Sequence, residues 1–302
     1  MAGVIGDIRD VMRLIKTYPL YGSSLERGRA MGRFLAWQVL GRLNPDGLDM
    51  PFVNGSRLRV KRRLGGRLHY VLGLAEPDDM AFVAHLLRPG EIFADVGANI
   101  GAYSVMAAAG AGARCVAFEP VERARSYLRQ NVELNRLQAL VEVQALAVGA
   151  KAGSLVLTAG MGEVNHVLRA GEHAESVQVP MVSLDGFFKD RQPPTLIKID
   201  VEGFETEVIH GARQLLRRRE PLALLIELAG HGARYGYDET ALIEEIRDLG
   251  YAACTYSASE RRLSEMRASG ERSYNLLFVR DIAAARQRLG SADRFSLRKH
   301  RI

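Results

Sequence analysis

Two stretches of this chain carry residue types at spacings that suit chemistry on a nucleoside-bearing ligand. The first is Asp95-Val96-Gly97-Ala98-Asn99-Ile100-Gly101, which follows a short apolar run and leads into a helical pattern. A glycine at such a turn lets backbone approach a ligand, and a second one helical turn later permits close packing. The spacing is D-x-G-x-x-x-G, not the G-x-G-x-x-G whose middle glycine admits a pyrophosphate, so a dinucleotide is disfavoured. The next apolar run ends in Glu119-Pro120, with Glu119 22 residues after Gly97. An acid at that place in a doubly wound fold meets ribose hydroxyls. Together the two features point to S-adenosylmethionine; a tight turn beside a surface glutamate is the plainer alternative.

The second stretch is Lys198-Ile199-Asp200-Val201-Glu202-Gly203. A strand period of two puts Lys198 and Asp200 on one face. A buried lysine needs a carboxylate, and Asp95 or Glu227 on a neighbouring strand is the expected partner. Asp200 and Glu202 stand at a carboxyl strand end, the edge where ligands bind, although Glu202 could equally complement a helix dipole. His231 follows the next apolar run and has a pKa suited to taking a hydroxyl proton. His166, in the segment 153–185, is a further candidate base, and either histidine could merely hydrogen-bond. Asp200, Glu202 and a histidine also form a possible set for Mg or Mn, a secondary reading beside a metal-free site.

Positioning these residues requires a parallel sheet. From Glu91 onward apolar runs alternate with amphipathic ones, which predicts a Rossmann-like α/β fold with helices on both faces of a mostly parallel, seven-stranded sheet. The expected strands are 92–96, 115–119, 141–148, 195–200, 222–228, 251–256 and 275–280, with helices over 121–137 and 203–218. A strand pair and loop replace the helix between Gly153 and Asp185. Upstream, residues 1–50 are helical in pattern up to the turn at Asn44-Pro45-Asp46-Gly47. Residues 57–74 alternate around Gly65-Gly66 as a hairpin, and a short helix runs from Pro77 to about Leu87. The tail from Arg286 is expected to be a short helix fraying into a charged end. This divides the chain into a helical and hairpin extension (1–75), a catalytic domain (76–280) and a basic tail (281–302).

The chain has 302 residues, 47% hydrophobic and 25% charged, the balance of a packed globular protein. Its net charge of +6 is unevenly spread: residues 1–75 carry 13 basic and 5 acidic residues, and 281–302 carry 6 and 2. The middle, with the chemical motifs, is acidic, which argues against a nucleic-acid substrate. Two cysteines without ligand spacing, Cys115 and Cys254, fit a reducing, cytoplasmic compartment. No apolar run is long enough for a spanning helix, and the first residues lack a signal-peptide pattern.

In order and spacing, FADVGANIGAYS, AFEP, ALAVGAKAG, VSLD, LIKIDVEGFETEVIHGA and LLIEL resemble the FkbM-type methyltransferases over about residues 75–280. The resemblance implies S-adenosylmethionine-dependent O-methyl transfer to a hydroxyl of a sugar, glycan or polyketide-like natural product in a bacterium. By position it implies that Asp95, Gly97, Ala98, Asn99 and Gly101 line the methionine end of the cofactor, that Glu119 with Pro120 holds its ribose, and that residues near Ala147 flank adenine. Asp200 would border the same site. Where a typical member has A-L-S-D-x-x-G, this chain reads Ala147-Val148-Gly149-Ala150, without the polar side chains. A nicotinamide oxidoreductase and a non-catalytic binding protein that keeps the fold are the alternatives. Self-association is compatible with any of them.

Overall fold

The structure, a computed structural model, describes residues 8–19, 21, 23–62, 64–169, 171–266 and 274–302. The first seven residues of the expected N-terminal helix lie outside them. The elements in chain order begin with α1 (Ile8–Thr17), α2 (Ser24–Leu43), β1 (Leu48–Pro51), β2 (Arg57–Val60), α3 (Gly66–Leu72) and α4 (Pro77–Leu86). The main fold follows: β3 (Ile92–Val96), α5 (Ala102–Val105, extended by a π-turn over Met106–Gly110), β4 (Arg114–Phe118), α6 (Glu122–Leu134), β5 (Val141–Gln144). Next are β6 (Ala147–Val148), β7 (Gly153–Thr158), β8 (Ser176–Val182), α7 (Leu184–Phe187), β9 (Leu196–Ile199), α8 (Glu205–His210) and α9 (Arg213–Leu216). The chain continues through β10 (Ala223–Glu227), a 3-10 turn (His231–Tyr235), α10 (Glu239–Asp248), β11 (Ala252–Ser257), β12 (Arg262–Glu265) and β13 (Asn275–Val279). It closes with α11 (Ile282–Ser291), β14 (Ser296–Leu297) and β15 (His300–Arg301).

The central sheet has eight strands in the order β12-β11-β13-β10-β9-β3-β4-β5. Strands β5, β4, β3, β9 and β10 pair in parallel, and β13 runs antiparallel between β10 and β11. Alternation sorts the side chains into two cores, as a sheet covered on both faces requires. Phe93, Leu196 and Leu225 enter one; Ala94, Ile197, Leu224 and Ile226 enter the other. All seven expected strands lie in the central sheet, with β12 added at its edge. The run 141–148, however, breaks into β5 and β6, and β6 joins β7 and β8 in a separate three-stranded sheet. The helix expected over 203–218 is interrupted at Gly211 and becomes α8 and α9.

Two terminal expectations need correction. The hairpin does not turn at Gly65-Gly66; β2 pairs antiparallel with β1 about Asn54-Gly55, where both residues have positive φ, the requirement of a tight two-residue turn. Residues 66–72 are instead a helix that buries Val71 and Leu72 against Val11, Ile15, Tyr18 and Phe34. The tail does not fray: Phe295, Leu297 and Ile302 are buried in the main core. Arg288 anchors α11 through an ion pair to Glu91 at 2.7 Å. Leu297 bridges to Val53, so the two basic ends of the chain meet.

Candidate active site

The loop after β3 is shaped by its contact with the loop after β9. Gly97 has φ +83°, and a Cβ there would overlap the Asp200 carbonyl oxygen, so the glycine is required by chain-on-chain approach as well as by any ligand. Gly97 N–H and Ala98 N–H both donate to the Phe118 carbonyl at 3.0 Å, tying the loop to the end of β4. Gly101 lies against Leu128 of α6, where a side chain would collide, which is the close helix packing expected of it.

Glu119 is fixed from two sides. One oxygen accepts from Asn99 N–H at 2.9 Å and the other from Val121 N–H at 2.8 Å, across Pro120. Burial pushes its carboxyl up to about 7, against the pull of those two N–H donors. Asp95 is 1% exposed; its Oδ2 accepts from Ser104 at 2.6 Å, while its Oδ1, like Asn99 Oδ1, is buried with no hydrogen-bond partner among the described residues. Acceptors left open around a glycine loop, with a half-neutral acid beside them, fit a ligand rich in hydroxyl and ammonium donors. Ala147 is buried in β6, packed in a small apolar cluster with Val121, Leu157 and Val179.

At the ends of β9 and β10 the acids are held by side chains. Lys198 Nζ donates to Asp200 Oδ2 at 2.7 Å, a pairing along its own strand and not only across to Asp95, which is its register neighbour. Burial works against the lysine charge, but Asp200 and Asp95 outweigh it and hold its pKa above the usual value. Asp200 keeps a third of its side chain open. Burial and the Asp200 charge raise the Glu227 pKa well above the usual carboxylate range, which favours its protonated form as a hydrogen-bond partner of Asp200. Glu202, at φ +55°, points one oxygen at His231 Nδ1, 2.9 Å away; each of the two side chains is 12% exposed. Burial, assisted by Arg234, lowers the His231 pKa below the ordinary value.

Four further residues join this edge without having stood out in the sequence. Tyr103 O–H donates to Glu76 at 2.6 Å, and Asn275 Nδ2 donates to both Glu76 (2.8 Å) and Asp79 (2.9 Å). Burial and Glu76 push Asp79 up to about 7. Glu76 and Asp79 sit at the start of α4, and Asn275 opens β13. Because β13 is antiparallel, its first residue falls at the carboxyl edge of its neighbours. A polar residue opening the otherwise apolar Asn275-Leu276-Leu277-Phe278-Val279 was the available signal.

His166 shares no hydrogen bond with this group, although its charge reaches His231. It is 7% exposed, its Nδ1 lies 3.0 Å from the Val164 carbonyl and its Nε2 2.9 Å from Glu172, so both nitrogens are occupied. Its loop is nonetheless fastened to the site: Tyr235 O–H donates to the Val167 carbonyl at 2.7 Å. Phe204, Tyr235 and Tyr237 form a chain of ring contacts with centroids 5.9 and 6.2 Å apart, an aromatic wall beside His231.

Asp200, Glu202 and Glu227 bring ligand atoms within 4.8 Å of one another. Lys198, His231 and the Glu227 proton already answer them, so a cation there would have to displace an ammonium and a proton. The donor set does not call for Mg or Mn.

A parallel sheet extended by an antiparallel strand, with a glycine loop and an acid at successive strand ends, defines a Rossmann-like α/β protein of the nucleoside-binding type. A family model described as the methyltransferase FkbM domain matches residues 95–253, more than half the chain, and the protein belongs to that methyltransferase family. Methyltransferase FkbM from Methylobacillus flagellatus superposes with TM-score 0.44 at 15% identity, over 90% of this chain and 58% of that one. The chain thus spans less than two thirds of that relative. An O-methyltransferase from Bacillus cereus, in complex with SAH, gives 0.39 at 12% identity over 90% and 97% of the two chains. An rRNA methylase from Streptococcus thermophilus gives 0.39 at 16% over 66% and 91%. No curated protein sequence matches the chain. Among the described residues no helix is long and apolar enough to cross a membrane.

Proposed function

We propose that the protein is an S-adenosylmethionine-dependent O-methyltransferase whose acceptor is a hydroxyl of a sugar, glycan or polyketide-like small molecule. The observation that carries this reading is the His231–Glu202 pair at the carboxyl edge of the sheet, beside the glycine loop. When bound, S-adenosylmethionine supplies a methyl carbon open to in-line displacement by an oxygen. Asp95, Asn99 and Glu119 would hold it through their acceptor oxygens. An aliphatic hydroxyl needs a base, and His231 fits: with its Nδ1 2.9 Å from a Glu202 oxygen, the Nε2 lone pair is the one left to take the proton. Glu202 then stabilises the imidazolium. Lys198, Asp200 and Glu227 form a neutralised cluster that fixes the loop carrying Glu202, and the aromatic wall of Phe204, Tyr235 and Tyr237 suits a ring-bearing acceptor. In this reading His166 braces the wall and is no base.

The family favours methyl over hydride transfer, and the ordered base pair favours a working site over a binding protein that has lost its chemistry. Two free, buried cysteines support placement in a reducing, cytoplasmic setting. The test is incubation with S-adenosylmethionine and a panel of sugar and glycan alcohols, scored by S-adenosylhomocysteine release, alongside calorimetric titration. Turnover with a hydroxyl acceptor is expected; NAD binding tighter than S-adenosylmethionine would overturn the reading.

A further inference from the structure

Helix α2 is apolar on two opposite faces. Its inward face buries Ala30, Phe34 and Trp37. Successive helical residues turn by about 100°, so Leu25, Gly28, Gly32, Leu35, Val39 and Leu43 fall on one outward arc. That arc is open: Leu25 is 62% exposed, Leu35 53%, Val39 58% and Leu43 71%. Of the ten large apolar side chains exposed among the described residues, six lie on α1 and α2. The arc is bordered by exposed arginines, Arg29 on one side and Arg42 on the other. A helix apolar all round is ordinarily buried in protein or in lipid, and one with a basic border around an outward apolar face is of the kind that lies in a membrane interface.

We infer that the outward face of α2, with its border of Arg29 and Arg42, docks the protein on an anionic lipid bilayer. The helix lies on the bilayer and does not span it, since five charged residues interrupt it. Charge complementarity chooses the occupant: residues 1–75 hold 13 basic and 5 acidic residues, whereas a second copy of this chain would bring like charge against like.

The test is sedimentation of the full-length protein with vesicles of phosphatidylcholine alone or with 30% phosphatidylglycerol, at about 0.15 M salt and again at high salt. Binding to the anionic vesicles at least tenfold tighter than to the neutral ones, weakened by salt, is expected. Leu35→Glu with Val39→Glu should lower it at least tenfold, and Arg29→Glu with Arg42→Glu should do the same. Circular dichroism melts of both variants control for folding, and these solvent-facing changes should leave them intact. Equal affinity for neutral and anionic vesicles, no binding by wild type, or folded variants that bind as well as wild type would each overturn the inference. So would light scattering that shows a dimer dissolved by the Leu35/Val39 variant with no vesicle binding, which would assign the face to a second copy.

Discussion

The two halves of the site hold their acids differently. At the β3–β4 end Glu119 is gripped by backbone N–H groups of Asn99 and Val121, which cannot move without moving the loop. At the β9–β10 end Asp200, Glu202 and Glu227 are answered by side chains: an ammonium, an imidazole and a shared proton. Backbone donors fix a position, as binding a constant cofactor demands. Side-chain partners can exchange protons and re-pair, as a reacting acceptor demands.

The largest expected effect comes from breaking the second half. His231→Ala should lower kcat by about 10² to 10⁴ and leave the cofactor dissociation constant unchanged, measured by turnover and calorimetry. Wild-type activity should climb with pH through a midpoint below 6.5, because the lowered pKa frees the base earlier, and the variant should lack that limb. The converse change is Glu119→Ala, which should weaken cofactor binding by roughly 10- to 150-fold, about 1.5 to 3 kcal/mol for lost charge-assisted hydrogen bonds. Since Glu119 titrates at about 7, wild-type affinity should tighten as pH rises through 7 and Glu119→Gln should flatten that trend.

Glu202→Gln sharpens the contrast, since it keeps the shape and removes the charge that supports an imidazolium. Turnover should fall about tenfold and the pH midpoint move further down, a shift that a purely structural role would not produce. Asp79→Asn tests stability. A carboxyl raised to about 7 in the fold binds its proton more tightly than in the unfolded chain. Its contribution is complete below about pH 4 and is lost as pH rises through 7. The wild type should lose up to about 1.4 kcal/mol per pH unit relative to the variant over that window, by denaturant titration. The smallest effect is none: chelator should leave turnover unaltered, because Lys198, His231 and a proton already answer the three carboxylates.

The half proposed to hold the cofactor was legible as local structure because its demands are local. A glycine loop and an acid 22 residues later are a property of one strand-turn-helix-strand unit, and Gly97, Gly101 and Glu119 take the places expected of them. His231 and Glu202 were nameable singly, but their pairing depends on where the β9 and β10 ends meet. Glu76, Asp79, Tyr103 and Asn275 were not seen, since Glu76 and Asn275 are 199 residues apart and no short-range pattern joins them. The hairpin turns at Asn54-Gly55, whereas the apolar spacing about Gly65-Gly66 fits a helix as well as a strand. The charge of the tail hides its packing: Arg286, Arg294 and Arg301 are exposed, but Arg288 pairs with Glu91, Arg298 donates to the Tyr70 carbonyl, and Phe295, Leu297 and Ile302 supply the burial.

The contact between Gly97 and the Asp200 carbonyl has a thermodynamic consequence. With no side chain between them, the loop after β3 packs directly on the loop bearing Glu202, so a displacement of the first presses on the second. Linkage makes such transmission symmetrical: whatever cofactor binding does to acceptor affinity, acceptor binding must do to cofactor affinity by the same factor. Two ligands that never share a residue would thus report on each other through a missing methyl group.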